Sequence, residues 1–373
     1  MTILLAPDKF RGSLTAIEVC AAMSEGIRLV SQDIEIITVP MADGGEGTAE
    51  ILTYNAGGQM QTCEVLDPLG RKIQSSFGLS ANEQTAYIEM ASASGLKLLQ
   101  KNEYNPLKTS TFGTGQLIQK ALEAGVKKII LGIGGSATND AGIGMAAALG
   151  WQFLDKNNVI LEPCGENLIK IEHIIEPKTK IQATVEVACD VSNLLFGQNG
   201  AAHVYAPQKG ATPKMVLDLD NGLKHFATVV KRDFNLELNI AGAGAAGGLG
   251  AGALFFLNAT LKSGIEIIME QTNFKDKLEK ADLVITGEGK IDKQTLHGKL
   301  ISGIGLAAQH RNKPVAALCG TLCVSPQELS KIGITYVASV INKPMELEEA
   351  MTTAYDAVKE STFSLVNLFV NRF

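Results

Sequence analysis

Short apolar runs recur along the chain, each leading into a corner rich in glycine or aspartate and then into a segment with helical spacing. The first run covers residues 2–6, turns through 7–13 and predicts a helix over 16–30. Thr15 and Glu18 have the T-x-x-E spacing of a capping box, in which hydroxyl and carboxylate each satisfy an end N–H of the other residue, so this helix start is fixed. The succession repeats at 34–39 with the corner 41–48, at 128–131 with the corner 132–140, at 281–285 with 286–292, and at 315–318 with 319–321. A sixth run, 335–340, precedes a last helix over 347–366. Runs that are apolar without alternation are buried on both faces, which predicts a parallel sheet covered by helices. Such sheets take ligands in the crevice outside the carboxyl ends of their strands, where all of these corners fall.

Two stretches break the pattern. Residues 56–108 read as hairpin strands at 59–66, 73–79 and 85–90, with a turn at Asp67-Pro-Leu-Gly-Arg71, and residues 151–275 are mixed. With 373 residues the chain exceeds what one core usually organises. The expectation is an α/β protein of two domains: 1–55, 110–150 and 276–373 forming a parallel-sheet domain, interrupted by 56–109 and 151–275 as a second, mixed-sheet α/β domain, with a cleft between them.

Composition narrows the function. Apolar residues make up 46% and charged residues 19%, which excludes wholesale disorder. A net charge of −6 without a basic patch argues against nucleic acid or a membrane surface as partner. The six cysteines are scattered without a CxxC pair, the expected state being reduced thiols in a cytoplasmic protein rather than a zinc site. The opening MTILLAPDKF lacks the basic start and longer apolar middle of an export signal. Residues 240–257 carry no charge, but six of these 18 are Gly and six are Ala, too poor in transfer energy and helix propensity for a membrane span.

The corners hold the candidate chemistry. In 132–140 glycines leave a strand and are followed by Ser136, Thr138 and Asn139, so backbone N–H groups, hydroxyl and amide donors and a helix start can together cradle phosphate. Asp43 and Glu288, with Asp292, set carboxylates among glycines at strand ends, where they can hold Mg²⁺ through water or accept a proton. Asp8, Lys9, Arg11 and Ser13 follow the first strand and offer cations to an anionic substrate. Gly242-Ala-Gly-Ala-Ala-Gly247 matches GxGxxG after a strand-like 236–240, which keeps a dinucleotide site as a rival, although the run continues through Gly248, Gly250 and Gly252. P-loop, protein-kinase, H-E-x-x-H and G-x-S-x-G signatures are absent, and the five histidines are isolated.

Taken together the corners resemble one family, the bacterial type I glycerate kinases, over nearly the whole chain. The motifs in order are Ala6-Pro-Asp-Lys-Phe-Arg-Gly-Ser-Leu14, Met41-Ala-Asp-Gly-Gly-Glu-Gly-Thr48, Asp67-Pro-Leu-Gly-Arg71, Gly134-Gly-Ser-Ala-Thr-Asn-Asp140, Cys189-Asp-Val-Ser-Asn193, Pro207-Gln-Lys-Gly-Ala211, Gly242-Ala-Gly-Ala-Ala-Gly-Gly-Leu249 and Thr286-Gly-Glu-Gly-Lys-Ile-Asp-Lys-Gln-Thr295. The resemblance departs at Leu194-Leu195, where many members have proline after the asparagine, and at Lys9-Phe10-Arg11, where many have Ser-Phe-Lys. It implies a Rossmann- or flavodoxin-like domain interrupted by a second α/β domain, and ATP-dependent phosphorylation of D-glycerate, most often at the 2-hydroxyl.

On that resemblance, Gly134, Gly135, Ser136, Thr138 and Asn139 are expected to cradle ATP phosphates, and Asp43, Glu288 and Asp292 to hold Mg²⁺. Asp190 is expected as the base facing the glycerate hydroxyl, and Lys9, Arg11 and Arg71 as partners for its carboxylate. Kinases of other small hydroxy acids, an NAD-dependent oxidoreductase using 242–247, and a non-catalytic two-domain binder are the alternatives.

Overall fold

The computed structural model describes residues 1–42, 45–296 and 300–371. Thirteen strands lie among them: β1 (Thr2–Leu5), β2 (Glu35–Thr38), β3 (Gln59–Leu66), β4 (Lys72–Leu79), β5 (Thr85–Glu89), β6 (Lys128–Gly132), β7 (Gln152–Leu154), β8 (His173–Ile175), β9 (Thr184–Ala188), β10 (Thr260–Lys262), β11 (Leu283–Ile291), β12 (Val315–Leu322) and β13 (Tyr336–Ser339). The chain divides into two compact units, one of Met1–Asp43 with Ile265–Phe373 and one of Gly44–Gly264.

The first unit is built on a five-stranded sheet in the order β2-β1-β11-β12-β13, every pair parallel. Counted within the unit this is 2-1-3-4-5, the flavodoxin-like order, whose winding reverses between β1 and β11. Its core gathers Ile3, Leu5, Val19, Met23, Ile27, Ile285, Leu318, Val358 and Val366. The helix Ala16–Val30 begins at the expected capping box, Thr15 Oγ1 accepting from Glu18 N–H and the Glu18 carboxylate accepting from Thr15 N–H. β11 runs further than expected. It stays paired with β12 as far as Ile291↔Leu322, so Glu288 lies on a strand opposite Cys319 and not in a turn. Gly289 permits this: a Cβ there would stand 3.1 Å from Arg11 N and 3.2 Å from Phe10 Cα, so the loop after β1 rests directly on the strand. The last helical stretch is two helices, Leu347–Thr352 and Ala354–Val370.

The second unit holds a six-stranded sheet in the order β10-β9-β6-β5-β4-β3; β5, β6, β9 and β10 are parallel, and β3 and β4 form the expected antiparallel hairpin. Its core includes Ile88, Leu117, Leu131, Val187, Leu219 and Phe226, with the single tryptophan, Trp151, against Phe234, Phe255 and Phe256. Residues 45–55 and 110–150, expected in the discontinuous domain, pack in this unit: β6 pairs with β5 on one side and β9 on the other, and the helix Thr48–Asn55 lies against β4 and β5. The inserted unit is therefore one continuous stretch. No helix among the described residues is long and apolar enough to cross a membrane.

Candidate active site

In the second unit three of the expected site segments share one end of the sheet. The corner 134–139 follows β6; Asp190 follows the neighbouring parallel strand β9; and the turn carrying Arg71 precedes β4, which runs antiparallel to β5, so it too lies at the carboxyl end of β5. Asp190 is exposed and its Oδ1 accepts from Gly264 N–H at 2.8 Å, just beyond β10. Arg71 is already engaged, its guanidinium lying between Asp67 at 2.5 Å and Glu103 at 2.6 Å, which holds the buried Asp67 turn closed.

The corner itself has an unusual division of backbone groups. Three of its carbonyls are held: Gly135 O by Leu96 N–H at 2.9 Å, Ala137 O by Thr109 Oγ1 at 2.9 Å, and Thr138 O by the Lys209 ammonium at 2.6 Å. Its N–H groups are mostly unspent. Ala137 N–H goes to Ser94 O, but those of Gly134, Gly135, Ser136, Thr138 and Asn139 meet no acceptor among the described residues. In a planar trans peptide the N–H points opposite to the C=O. Holding the carbonyls of 135, 137 and 138 therefore aims the N–H groups of 136, 138 and 139 the other way. The side chains repeat the theme: Thr138 Oγ1 and both amide atoms of Asn139 are buried without a hydrogen-bond partner. Buried polar groups are normally satisfied, so the orphaned groups of Thr138 and Asn139, which have no exposure, make this corner the place in the unit that lacks partners. A phosphate fits. Gly134 and Gly135 are exposed, and among the described residues a Cβ on Gly134 would find only Gly45 Cα, at 3.9 Å.

One expectation about this corner is corrected. The helix after it is only six residues, Ile143–Ala148, and Asp140 occupies its start, Oδ1 accepting from Gly142 N–H at 3.1 Å and Oδ2 from Gly144 N–H at 3.3 Å. The corner's own carboxylate thus takes the helix end, and the cradle rests on loop N–H groups. Asp140 Oδ2 also accepts from Thr111 N–H at 2.8 Å and Thr111 Oγ1 at 2.7 Å. Burial pushes its carboxyl up, opposed by these hydrogen bonds to the charged form.

The backbone around the corner is strained. Ala141 and Gly142 have φ of 52° and 75°, and Ala246, Gly247 and Gly248 have 54°, 72° and 90°. A left-handed alanine costs about 1 kcal/mol and persists only where the surroundings impose it. Here Ala141 N–H donates to Gly247 O at 3.1 Å, and a Cβ on Gly247 would stand 2.0 Å from Thr138 O. The Gly-Ala run therefore backs the corner. Residues 236–240 form no strand, so the strand–turn–helix setting of a dinucleotide fingerprint is missing.

Lys209 was legible only as a member of a motif. It is 1% exposed, and its ammonium donates to Ser136 Oγ and Thr138 O, both at 2.6 Å. Burial pushes it down to about 7, partly offset by the negative charge of Asp140. One signal for it exists in the sequence: no acidic residue stands three or four positions away to pair with it on a surface turn.

In the first unit Lys9 and Arg11 follow β1, and Glu288 and Asp292 lie on and just after β11, so these four flank the point where the winding reverses. Asp8 N–H continues the ladder onto Gly287 O at 2.8 Å. Thr295 Oγ1 donates to Glu288 Oε1 at 2.6 Å and accepts from Asp292 N–H at 3.1 Å, joining the two carboxylate residues. Asp43 lies outside the described residues. Among the described residues no group of three or more His, Cys, Asp or Glu side chains could hold a metal ion. One or two carboxylates fit Mg²⁺ held mainly by phosphate oxygens and water, the usual manner of that ion beside a nucleotide.

Residues 3–370 match the model of the glycerate kinase family. A glycerate kinase of Halalkalibacterium halodurans is 44% identical over 94% of this chain and 93% of its own. A glycerate 2-kinase of Escherichia coli K12 is 43% identical over 96% and 95%. A crystal structure from Salmonella typhimurium LT2, described as a glycerate kinase 2, superposes with a TM-score of 0.92 at 41% identity, covering 100% of this chain and 98% of that one. The chain belongs to the glycerate kinase family, and with it to the phosphotransferases.

Proposed function

We propose that this protein transfers the terminal phosphoryl group of ATP to the 2-hydroxyl of D-glycerate. The observation that carries the reading is the set of unspent donors at the corner, five backbone N–H groups with the Thr138 hydroxyl and Asn139 amide, in a chain of the glycerate kinase family. Phosphoryl transfer asks little covalent chemistry of a protein; it asks for in-line positioning and for donors aimed at the phosphate oxygens. In this reading Gly134, Gly135, Ser136, Thr138 and Asn139 bind and orient the phosphates, and the held carbonyls keep those donors from turning away. Mg²⁺, when bound, supplies charge neutralisation of the triphosphate, with Glu288, Asp292 and Asp43 as its protein ligands, directly or through water. Asp190, exposed at the end of β9 and steadied by Gly264 N–H, takes the proton of the glycerate hydroxyl. A carboxylate suffices there, because the alcohol becomes acidic only as its bond to phosphorus forms. Lys9, Arg11 and Arg71 are the cations proposed for the glycerate carboxylate; Arg71 takes that role only by exchanging Glu103 for the substrate. The 2-hydroxyl is favoured by the name of the Escherichia coli relative. A cytoplasmic location, where ATP is held and thiols stay reduced, goes with this reading, all six cysteines being free.

The test is incubation with ATP, Mg²⁺ and D-glycerate, following ADP by a coupled assay and the product by proton-coupled phosphorus NMR. Phosphate on the secondary hydroxyl couples to one proton and gives a doublet; on the primary hydroxyl it gives a triplet. ADP with a doublet supports the proposal. A triplet moves the reaction to the 3-hydroxyl, and no glycerate-dependent ADP removes the assignment.

A further inference from the structure

We propose that Lys209 is the positioning residue of the phosphate cradle: by gripping Thr138 O and Ser136 Oγ from inside the unit, it holds the corner in the shape that leaves the exposed Gly134 and Gly135 N–H groups facing the nucleotide. The inference rests on the reading that the corner binds ATP phosphates.

Three features carry it. Lys209 sits on the short turn Pro207–Lys209 and is buried behind the corner, its ammonium spent on Ser136 Oγ and Thr138 O. Both hydrogen bonds of that ammonium among the described residues, at 2.6 Å, go to the corner. Of the three groups that hold corner carbonyls, Leu96 N–H, Thr109 Oγ1 and Lys209 Nζ, it alone carries charge. Behind the same carbonyl stands Gly247, where a Cβ would intrude to 2.0 Å, so the Thr138 oxygen is seated between an ammonium and a glycine backbone. With the carbonyl pinned, peptide planarity fixes the 138–139 peptide and the shape of the corner around it. The charge of a buried lysine is costly, which burial's downward push on its titration expresses. A side chain kept for stability alone would serve better as a methionine of similar length; one kept to polarise and orient a donor peptide would not.

The experiment compares Lys209→Met and Gly134→Val with wild type by calorimetric titration with the ATP analogue AMP-PNP and Mg²⁺, KM for ATP and for glycerate, and thermal melting. The expected result for Lys209→Met is at least tenfold weaker nucleotide binding, a glycerate KM within about twofold of wild type, and a melting temperature no lower than wild type. Unchanged nucleotide affinity, or a lowered melting temperature with both substrates weakened alike, overturns the inference and leaves Lys209 a structural residue. Gly134→Val separates this from the underlying reading, since a Cβ there meets no described atom nearer than Gly45 Cα at 3.9 Å. If it leaves nucleotide binding intact, the cradle reading fails and the Lys209 role with it. If it abolishes binding while Lys209→Met does not, Lys209 alone is wrong. Should Lys209→Met not fold, Ser136→Ala removes one anchor of the ammonium; it must weaken the nucleotide several-fold with glycerate KM unchanged, and equal affinity overturns the inference.

Discussion

The buried Asp140 offers the sharpest prediction about what holds the corner in shape. Its carboxylate accepts four hydrogen bonds, from Thr111 N–H, Thr111 Oγ1, Gly142 N–H and Gly144 N–H, at 2.7 to 3.3 Å, with no exposure to solvent. Asp140→Asn keeps the shape and removes the charge. In its better orientation the amide oxygen replaces Oδ2 and retains three donors, while the NH₂ confronts Gly142 N–H. One charge-assisted bond is lost, worth about 1.5–3 kcal/mol, and a buried donor is left unsatisfied at about 1–3 kcal/mol. Sparing the desolvation of a buried carboxylate returns part of this, so the net loss is about 2–3 kcal/mol. Asp140→Ala, which orphans all four donors, costs about 4–6 kcal/mol by the same reasoning. Urea unfolding is the assay. The Asn variant should lower the midpoint with the slope unchanged, and melt roughly 5–10 °C earlier. A midpoint within error of wild type for both variants would refute the claim that an ionised Asp140 clamps the corner.

Asp190→Asn should lower kcat by orders of magnitude with ATP affinity nearly intact; near-normal turnover takes Asp190 out of the role of base. Asn139→Ala should weaken ATP more than glycerate without lowering the melting temperature, because its amide has no hydrogen bond within the described protein to lose; the reverse order moves the nucleotide elsewhere. Lys209 titrates near 7 in the folded protein against 10.5 for an ordinary lysine, so between those values the unfolded chain binds the extra proton and this group adds stability as pH rises. Asp140 is the charged group acting on it, and Lys209→Met should flatten the rise of the urea midpoint across that range relative to wild type; parallel slopes in the two proteins contradict the burial of a charged ammonium.

Local pattern was enough for much of this fold. The capping box at Thr15 and Glu18, the hairpin around Asp67–Arg71 and the central strands of the first unit follow from residues close in sequence, whose preferences the tertiary structure did not override. Sheet membership was not legible in the same way. Residues 128–132 have the same apolar run and glycine corner as 2–13, and only their partners, β5 and β9, assign them to the second sheet; partner choice is a long-range property that a strand does not carry in itself. The site divides along the same line. Gly134 to Asn139 stood out because consecutive glycines leaving a strand have a direct backbone meaning. That Asp140 would take the helix start, and that Lys209 would arrive from 71 residues later to hold Thr138, depended on packing. The run 242–252 contains the dinucleotide-like spacing at 242–247 for a physical reason: its glycines serve left-handed backbone and close approach to the corner, which leave the same signature in sequence.

The central claim, that the backbone N–H groups of 134–139 receive the phosphates of ATP, is tested most directly by amide hydrogen exchange with and without AMP-PNP and Mg²⁺. The account predicts slowed exchange at Gly134, Gly135, Ser136, Thr138 and Asn139, with Ala137, already bonded to Ser94 O, changing least. Saturating nucleotide that leaves these amides exchanging as before, while protecting a segment elsewhere in the chain, would contradict it.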